Sequence, residues 1–197
     1  MKWKMAIVAA LVATAVSAMA GEQGARRRPS PIGFALFEPA QFPTPENDVL
    51  GLRICLIYGR NANVMGIDTG VFGCGVDGNM FGLQVSGFLN DVGSSWGAVQ
   101  LSGIANICAE DFYGLQLSGI ANSTSLDFCG QQLSIFNNAQ TLYGIQIGLF
   151  NKSENAYGLQ IGLINVAKRA GGLMQIGLVN VINSNRNEVF PIINMGF

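Results

Sequence analysis

Along most of this chain apolar residues alternate with glycine, glutamine or serine in short runs, each of which closes on an asparagine. Tyr157 to Asn165, YGLQIGLIN, shows the pattern. Tyr157, Leu159, Ile161 and Leu163 share one face of an extended segment, and Gly158, Gln160, Gly162 and Ile164 share the other. A helix is a poor assignment. Each glycine in a helix interior costs about 1 kcal/mol relative to alanine, and the polar positions do not follow a 3.6-residue period. The pattern predicts a strand, with Asn165 and the polar residues after it supplying a turn.

The segment is one copy of a tandem repeat. Repeat-opening glycines stand at Gly51, Gly66, Gly82, Gly97, Gly114, Gly130, Gly144, Gly158 and Gly172, 14 to 17 residues apart. Stacking the copies gives two columns. An aromatic column precedes the glycine at Phe81, Trp96, Tyr113, Tyr143 and Tyr157. A polar column runs through Arg53, Asp68, Gln84, Gln100, Gln116, Gln132, Gln146, Gln160 and Gln175 on the face opposite the aliphatics. Arg53 and Asp68 replace glutamine in the first two copies, where neighbouring strands would pair them. Copies with an extra residue (Ser86-Gly87, Ser102-Gly103, Ser118-Gly119) are expected to carry a β-bulge.

Two all-β architectures satisfy this pattern. The expected one is an antiparallel up-and-down β-barrel of about ten strands, in which each repeat crosses an outer membrane once. Its aliphatic face meets lipid, its aromatics form a girdle, and the polar column becomes an interior belt. Ile193 to Phe197 alternates and closes on phenylalanine, as outer-membrane strands do. Ile104, Ile120, Phe150 and Ile164 fall on the nominal interior face and sit badly with a barrel. The alternative is an exported soluble β-solenoid, a binding module that meets a partner through its Gln/Gly face, with the aliphatic face as its core and the glutamines stacked as an amide ladder.

Composition adds location and removes chemistry. Lys2 and Lys4, the apolar run Met5 to Val16 and the small residues Ala18 and Ala20 read as a signal peptide over 1–20. A leader with a proline-rich segment over 21–47 and a repeat domain over 48–197 follow. Removing Lys2 and Lys4 moves the formal charge from −1 to −3, which gives no footprint for nucleic acid. The charged fraction is 12% against 49% hydrophobic, so the folded chain must hide much of its surface in a core, a partner or lipid. Outer-membrane lipid is the expected partner, and no protein or glycan partner can be named.

No histidine occurs, so no Ser-His or Cys-His nucleophile exists. Cys55, Cys74, Cys108 and Cys129 lack zinc spacing but are compatible with disulfides, in three possible pairings. Gly73 to Gly78 matches GxGxxG but is followed by a strand pattern, so it is read as a turn rather than a dinucleotide site. Asp91, Glu110, Asp111, Asp127, Glu154 and Glu188 fall in expected turns, and no fixed carboxylate pair emerges. Asn122-Ser123-Thr124 and Asn151-Lys152-Ser153 fit glycosylation sequons, also placed in turns. No enzyme, cofactor or metal is expected.

The chain resembles the bacterial surface-repeat-containing proteins, which carry a signal peptide and tandem GLQxGLxN repeats. The resemblance rests on PIGFALFEPAQFP (31–43), GLRICLIYGRNANVMGIDTG (51–70), the repeats themselves and FPIINMGF (190–197). It implies an outer-membrane or cell-surface location in a Gram-negative-type bacterium and a structural or interaction role, with a small pore as one form. It brings no known activity, ligand or binding residue.

Overall fold

The computed structural model describes residues 28–186 and 188–197. The expected signal peptide and the first seven residues of the leader, 21–27, lie outside the described residues. Among the described residues, fourteen strands join in one sheet system. They are β1 (Ser30–Phe37), β2 (Ala40–Phe42), β3 (Val49–Cys55), β4 (Tyr58–Asn61), β5 (Val64–Gly70), β6 (Gly73–Ser86) and β7 (Leu89–Ser102), then β8 (Ala105–Cys108), β9 (Phe112–Ser118), β10 (Ala121–Leu133), β11 (Phe136–Ile147), β12 (Phe150–Ile161), β13 (Ile164–Ile182) and β14 (Val189–Gly196). The described residues form no helix, and so none long and apolar enough to cross a membrane.

Successive repeats pair in parallel and in register. Gly130 lies on Gly144, Gln132 on Gln146 and Asn137 on Asn151. This overturns the antiparallel barrel of about ten strands and gives the alternative, a β-solenoid. A hairpin reverses direction at every turn. Here the chain instead completes a full coil in each repeat and returns to the same point one strand spacing along. Among the described residues, antiparallel pairs occur only at the two ends, between β1 and β2 and between β13 and β14. The proline-bearing segment supplies β1, which lies parallel on β3 and extends the stack.

Each coil holds three hydrogen-bonded runs. The first carries the x-Gln-x motif and ends at a Ser-Gly or Gly bend. The second begins just before the asparagine. The third leads back to the repeat-opening glycine, where the chain turns a corner while the register continues. Gly144 shows why glycine is required there. Its φ is 143°, and a Cβ would run into the Gly130 carbonyl of the preceding coil. The extra residue of the Ser-Gly copies is taken up in the bend. Leu117 still pairs with Leu133 before it, and Ala121 with Phe136 after it, so no bulge forms within that run.

Three inward files fill the coil. The first run contributes glutamines and the second asparagines followed by small or apolar residues. The third contributes an apolar file that includes Val64, Met80, Phe112, Phe128, Leu142 and Ala156. Phe112 and Phe128 stack with centroids 5.8 Å apart.

The interior is therefore the reverse of the one expected for a solenoid. The amides are inside, and the aliphatic neighbours of each glutamine point out. The outward positions Leu149, Leu163 and Leu178 are exposed, while Gln146, Gln160 and Gln175 are fully buried. Ile104, Ile120 and Phe150, assigned by parity to the interior, are exposed as well. The Ser-Gly or Gly bend interrupts the alternation, so residues beyond it point outward and parity restarts at the asparagine.

Candidate functional site

The polar column of the sequence forms a continuous buried ladder. Gln100 Nε2 donates to Gln84 Oε1 at 2.7 Å, Gln116 to Gln100 at 2.8 Å and Gln132 to Gln116 at 2.8 Å. Gln146, Gln160 and Gln175 continue it at 2.8, 2.7 and 2.8 Å. Parallel in-register coils place each amide one strand spacing from its own copy, the geometry that lets one donate to the next. Burying an amide without a partner costs about 1–3 kcal/mol, so the ladder is what makes an amide core tolerable.

Arg53 and Asp68 end the ladder. Arg53 Nε and Nη2 donate to the two Asp68 oxygens at 2.8 and 2.6 Å, and Gln84 Nε2 donates to Asp68 Oδ2 at 2.9 Å. The guanidinium also donates to Asn61 Oδ1 at 3.0 Å and to the Gly75 carbonyl at 2.9 Å. Both residues are fully buried. Burial works against the Arg53 charge, but the adjoining Asp68 carboxylate outweighs it and holds the guanidinium pKa above its ordinary value.

A second ladder escaped sequence reasoning. Asn90, Asn106, Asn122, Asn137, Asn151, Asn165 and Asn180 stack along the second run, each Nδ2 donating to the next Oδ1 at 2.8–3.1 Å. It points opposite to the first: glutamines donate toward the N-terminal coils and asparagines toward the C-terminal ones. Asn90, Asn106, Asn122, Asn137, Asn151 and Asn165 also donate to a carbonyl at the bend of the following coil, such as Leu101 or Ile161. The sequence did carry the signal, because the asparagines recur with the same period as the glutamines. Asparagine's turn propensity concealed it. Asn122 and Asn151 are buried in this file, so neither sequon presents its amide for glycosylation.

Each ladder has one free end. Gln175 Oε1 and Asn90 Oδ1 are buried without a partner. Asn90 is the first asparagine of its file, and Cys74 holds the matching position one coil earlier.

Among the described residues, Cys55, Asp68 and Cys74 bring three metal-ligating atoms within 4.8 Å of one another, all buried. The set does not fit a cation. Both Asp68 oxygens already accept from Arg53, Gln84 shares one of them, and the guanidinium holds the positive charge an ion would bring. The neighbouring Cys74 thiol pulls the Cys55 thiol pKa down, and the Cys55 thiol, with burial, pushes that of Cys74 up. Gly73 to Gly78 lies within strand β6, not between a strand and a helix, so it forms no phosphate loop.

Of the six acids assigned to turns, Asp91, Asp127 and Glu154 sit on strands, while Glu110, Asp111 and Glu188 lie between them. Asp91 and Asp77 pair with Arg60 at 2.7 and 3.0 Å, and Glu154 pairs with Lys168. All of them belong to the second and third runs. The first run and its bend carry no charged residue in any coil from Gly51 to Val179, apart from the buried Arg53–Asp68 pair. One flank of the solenoid is therefore aliphatic and uncharged, and the others carry the ions. The aromatic column lines the corner between them, with Tyr143 stacked on Tyr157 at 4.9 Å and Trp96 on Tyr113 at 5.5 Å. On the uncharged flank, Leu133, Ile147, Ile161 and Ile176 face Ile135, Leu149, Leu163 and Leu178 across a shallow groove of about 760 Å³ that passes over Gly148, Gly162 and Gly177.

Comparison with known protein families, with curated proteins and with solved structures finds no match.

Proposed function

We propose that the chain is an exported cell-surface interaction module that lies on lipid through its uncharged flank. The segregation of charge carries this reading. Nine coils at about 4.8 Å, each presenting about five residues at 3.3 Å, give a face of roughly 40 by 17 Å, or about 700 Å². The largest apolar patch on an ordinary monomer is about 300–600 Å². Exposed aliphatics such as Leu149 and Leu163 would enter the acyl boundary. Trp96, Tyr113, Tyr143 and Tyr157 along the corner suit the headgroup level, where aromatic rings with a polar tip concentrate. The glutamines, enclosed in the coil, are not available to a partner, so a binding role falls to the aliphatic flank. The solenoid interior is packed with side chains, which leaves the pore reading without support. Export and the surface location rest on the N-terminal pattern and the family resemblance.

Sedimentation with neutral phosphatidylcholine vesicles tests the proposal. The mature chain should co-sediment, and Leu149→Glu, Leu163→Glu and Leu178→Glu together should weaken binding at least tenfold. Lys152→Glu, on the charged flank, should leave it unchanged. Failure of the unaltered chain to sediment would refute the lipid reading. A vesicle-independent dimer abolished by the same three substitutions would reassign the flank to a second copy of the chain.

A further inference from the structure

Cys55 and Cys74 lie on facing runs of the first two coils. Each sulfur occupies space that a glycine opposite leaves free. Cys55 is in register with Gly70, and Gly59 with Cys74. A Cβ on Gly59 would come 2.9 Å from Cys55 Sγ, and one on Gly70 would come 2.6 Å from Cys74 Sγ. The cysteine and glycine thus exchange runs between one coil and the next, which sets the two thiols diagonally across the interior. Their sulfurs lie within 4.8 Å of each other and both are fully buried.

The other two cysteines are differently placed. Cys108 faces inward against the backbone carbonyls of Gly93, Glu110 and Asp111, whereas Cys129 is exposed on the outer surface. A cation is disfavoured at Cys55 and Cys74 by the fully engaged Asp68 and the adjacent Arg53. Two thiols in mutual reach with no ion to hold have one remaining joint chemistry.

We propose that Cys55 and Cys74 are a modification site at which a disulfide staples the first two coils beside the Arg53–Asp68 pair. The oxidant is a small-molecule or protein disulfide, RSSR. Cys55, as thiolate, attacks one sulfur of RSSR and expels RS⁻, giving a mixed disulfide. Cys74 then loses its proton and attacks Cys55 Sγ, expelling the second RS⁻. The two protons from Cys55 and Cys74 convert these to RSH. Two protein thiols are oxidised, and one disulfide is reduced to two thiols. Because both sulfurs are buried in the finished coil, the first attack takes place before the N-terminal coils close.

Refolding the full chain in oxidised and reduced glutathione tests this. The sample is then alkylated and digested without reduction. Mass spectrometry should find one cross-linked peptide pair joining Cys55 to Cys74, with Cys108 and Cys129 alkylated and the free-thiol count reduced from four to two. The Cys108→Ser, Cys129→Ser chain should form the same link. Four alkylated cysteines, or a link through Cys108 or Cys129, would overturn the proposal. So would failure of the double variant to cross-link while it shows the β-rich circular dichroism of the parent.

Discussion

The Asp68 carboxylate accepts from Gln84 Nε2 at 2.9 Å, and this contact orients every glutamine that follows. A carboxylate held by Arg53 can only accept, so Gln84 must turn its NH₂ toward Asp68 and its carbonyl toward Gln100. The same constraint passes from coil to coil as far as Gln175.

Breaking the ladder in the middle should be expensive. Gln116→Leu leaves Gln100 Oε1 buried and unpaired, removes the acceptor of Thr124, and leaves Gln132 Nε2 only its longer contact to the Asn138 carbonyl at 3.4 Å. At about 1–3 kcal/mol for each orphaned group, a loss of about 2–6 kcal/mol is expected. Urea unfolding measures it. A loss under about 1 kcal/mol would show that the amides do not depend on one another.

The Arg53–Asp68 pair should behave as a buried ion pair. Asp68→Asn leaves an uncompensated guanidinium and should cost about 3–5 kcal/mol. The Arg53→Met, Asp68→Leu double replacement should cost less than the two single changes combined, although Gln84 then loses its acceptor. A double-mutant cycle by denaturant unfolding gives the coupling, and additive costs would contradict the geometry.

Two corner glycines should differ sharply. Gly144→Ala combines backbone strain of about 1–3 kcal/mol with overpacking against Gly130 of about 1–3 kcal/mol. Gly172 has φ of 83°, and a methyl group added there would meet nothing within 4 Å, so Gly172→Ala carries strain alone. Thermal unfolding should place Gly144→Ala well below Gly172→Ala, and equal midpoints would argue against close coil stacking at Gly144.

Cys108 gives a pH dependence. Burial pushes its thiol up to about 12 from an ordinary value of 9.0. Above pH 9 the unfolded chain releases this proton while the folded chain retains it, so the unfolded state binds fewer protons and stability falls as pH rises toward 12. Once the unfolded thiol is fully ionised the slope approaches about 1.4 kcal/mol per pH unit. Cys108→Ala should remove that part of the alkaline loss, measured by urea unfolding between about pH 8 and 11. An unchanged slope would place the thiol in a solvated setting.

Particular residues show where sequence reasoning ended. The alternation around Gln160 established a strand, the glycines from Gly51 to Gly172 marked the coils, and the column from Arg53 to Gln175 was found complete. The asparagine file was missed because asparagine suits a turn as well as a ladder. The faces were misassigned because an aliphatic stripe looks like a core until something better fills the interior.

What the sequence determined by itself is the repeat, its strand character and the separation of amides from aliphatics, all of which are local properties of spacing and side-chain parity. Only the tertiary structure decided that the strands run parallel and that the amides lie inside. An amide can leave water only if it finds a partner, and the partner of Gln160 is Gln146, a full coil away. That pairing exists in the three-dimensional register alone, and once it is made the leucines and isoleucines between the glutamines are left on the outside.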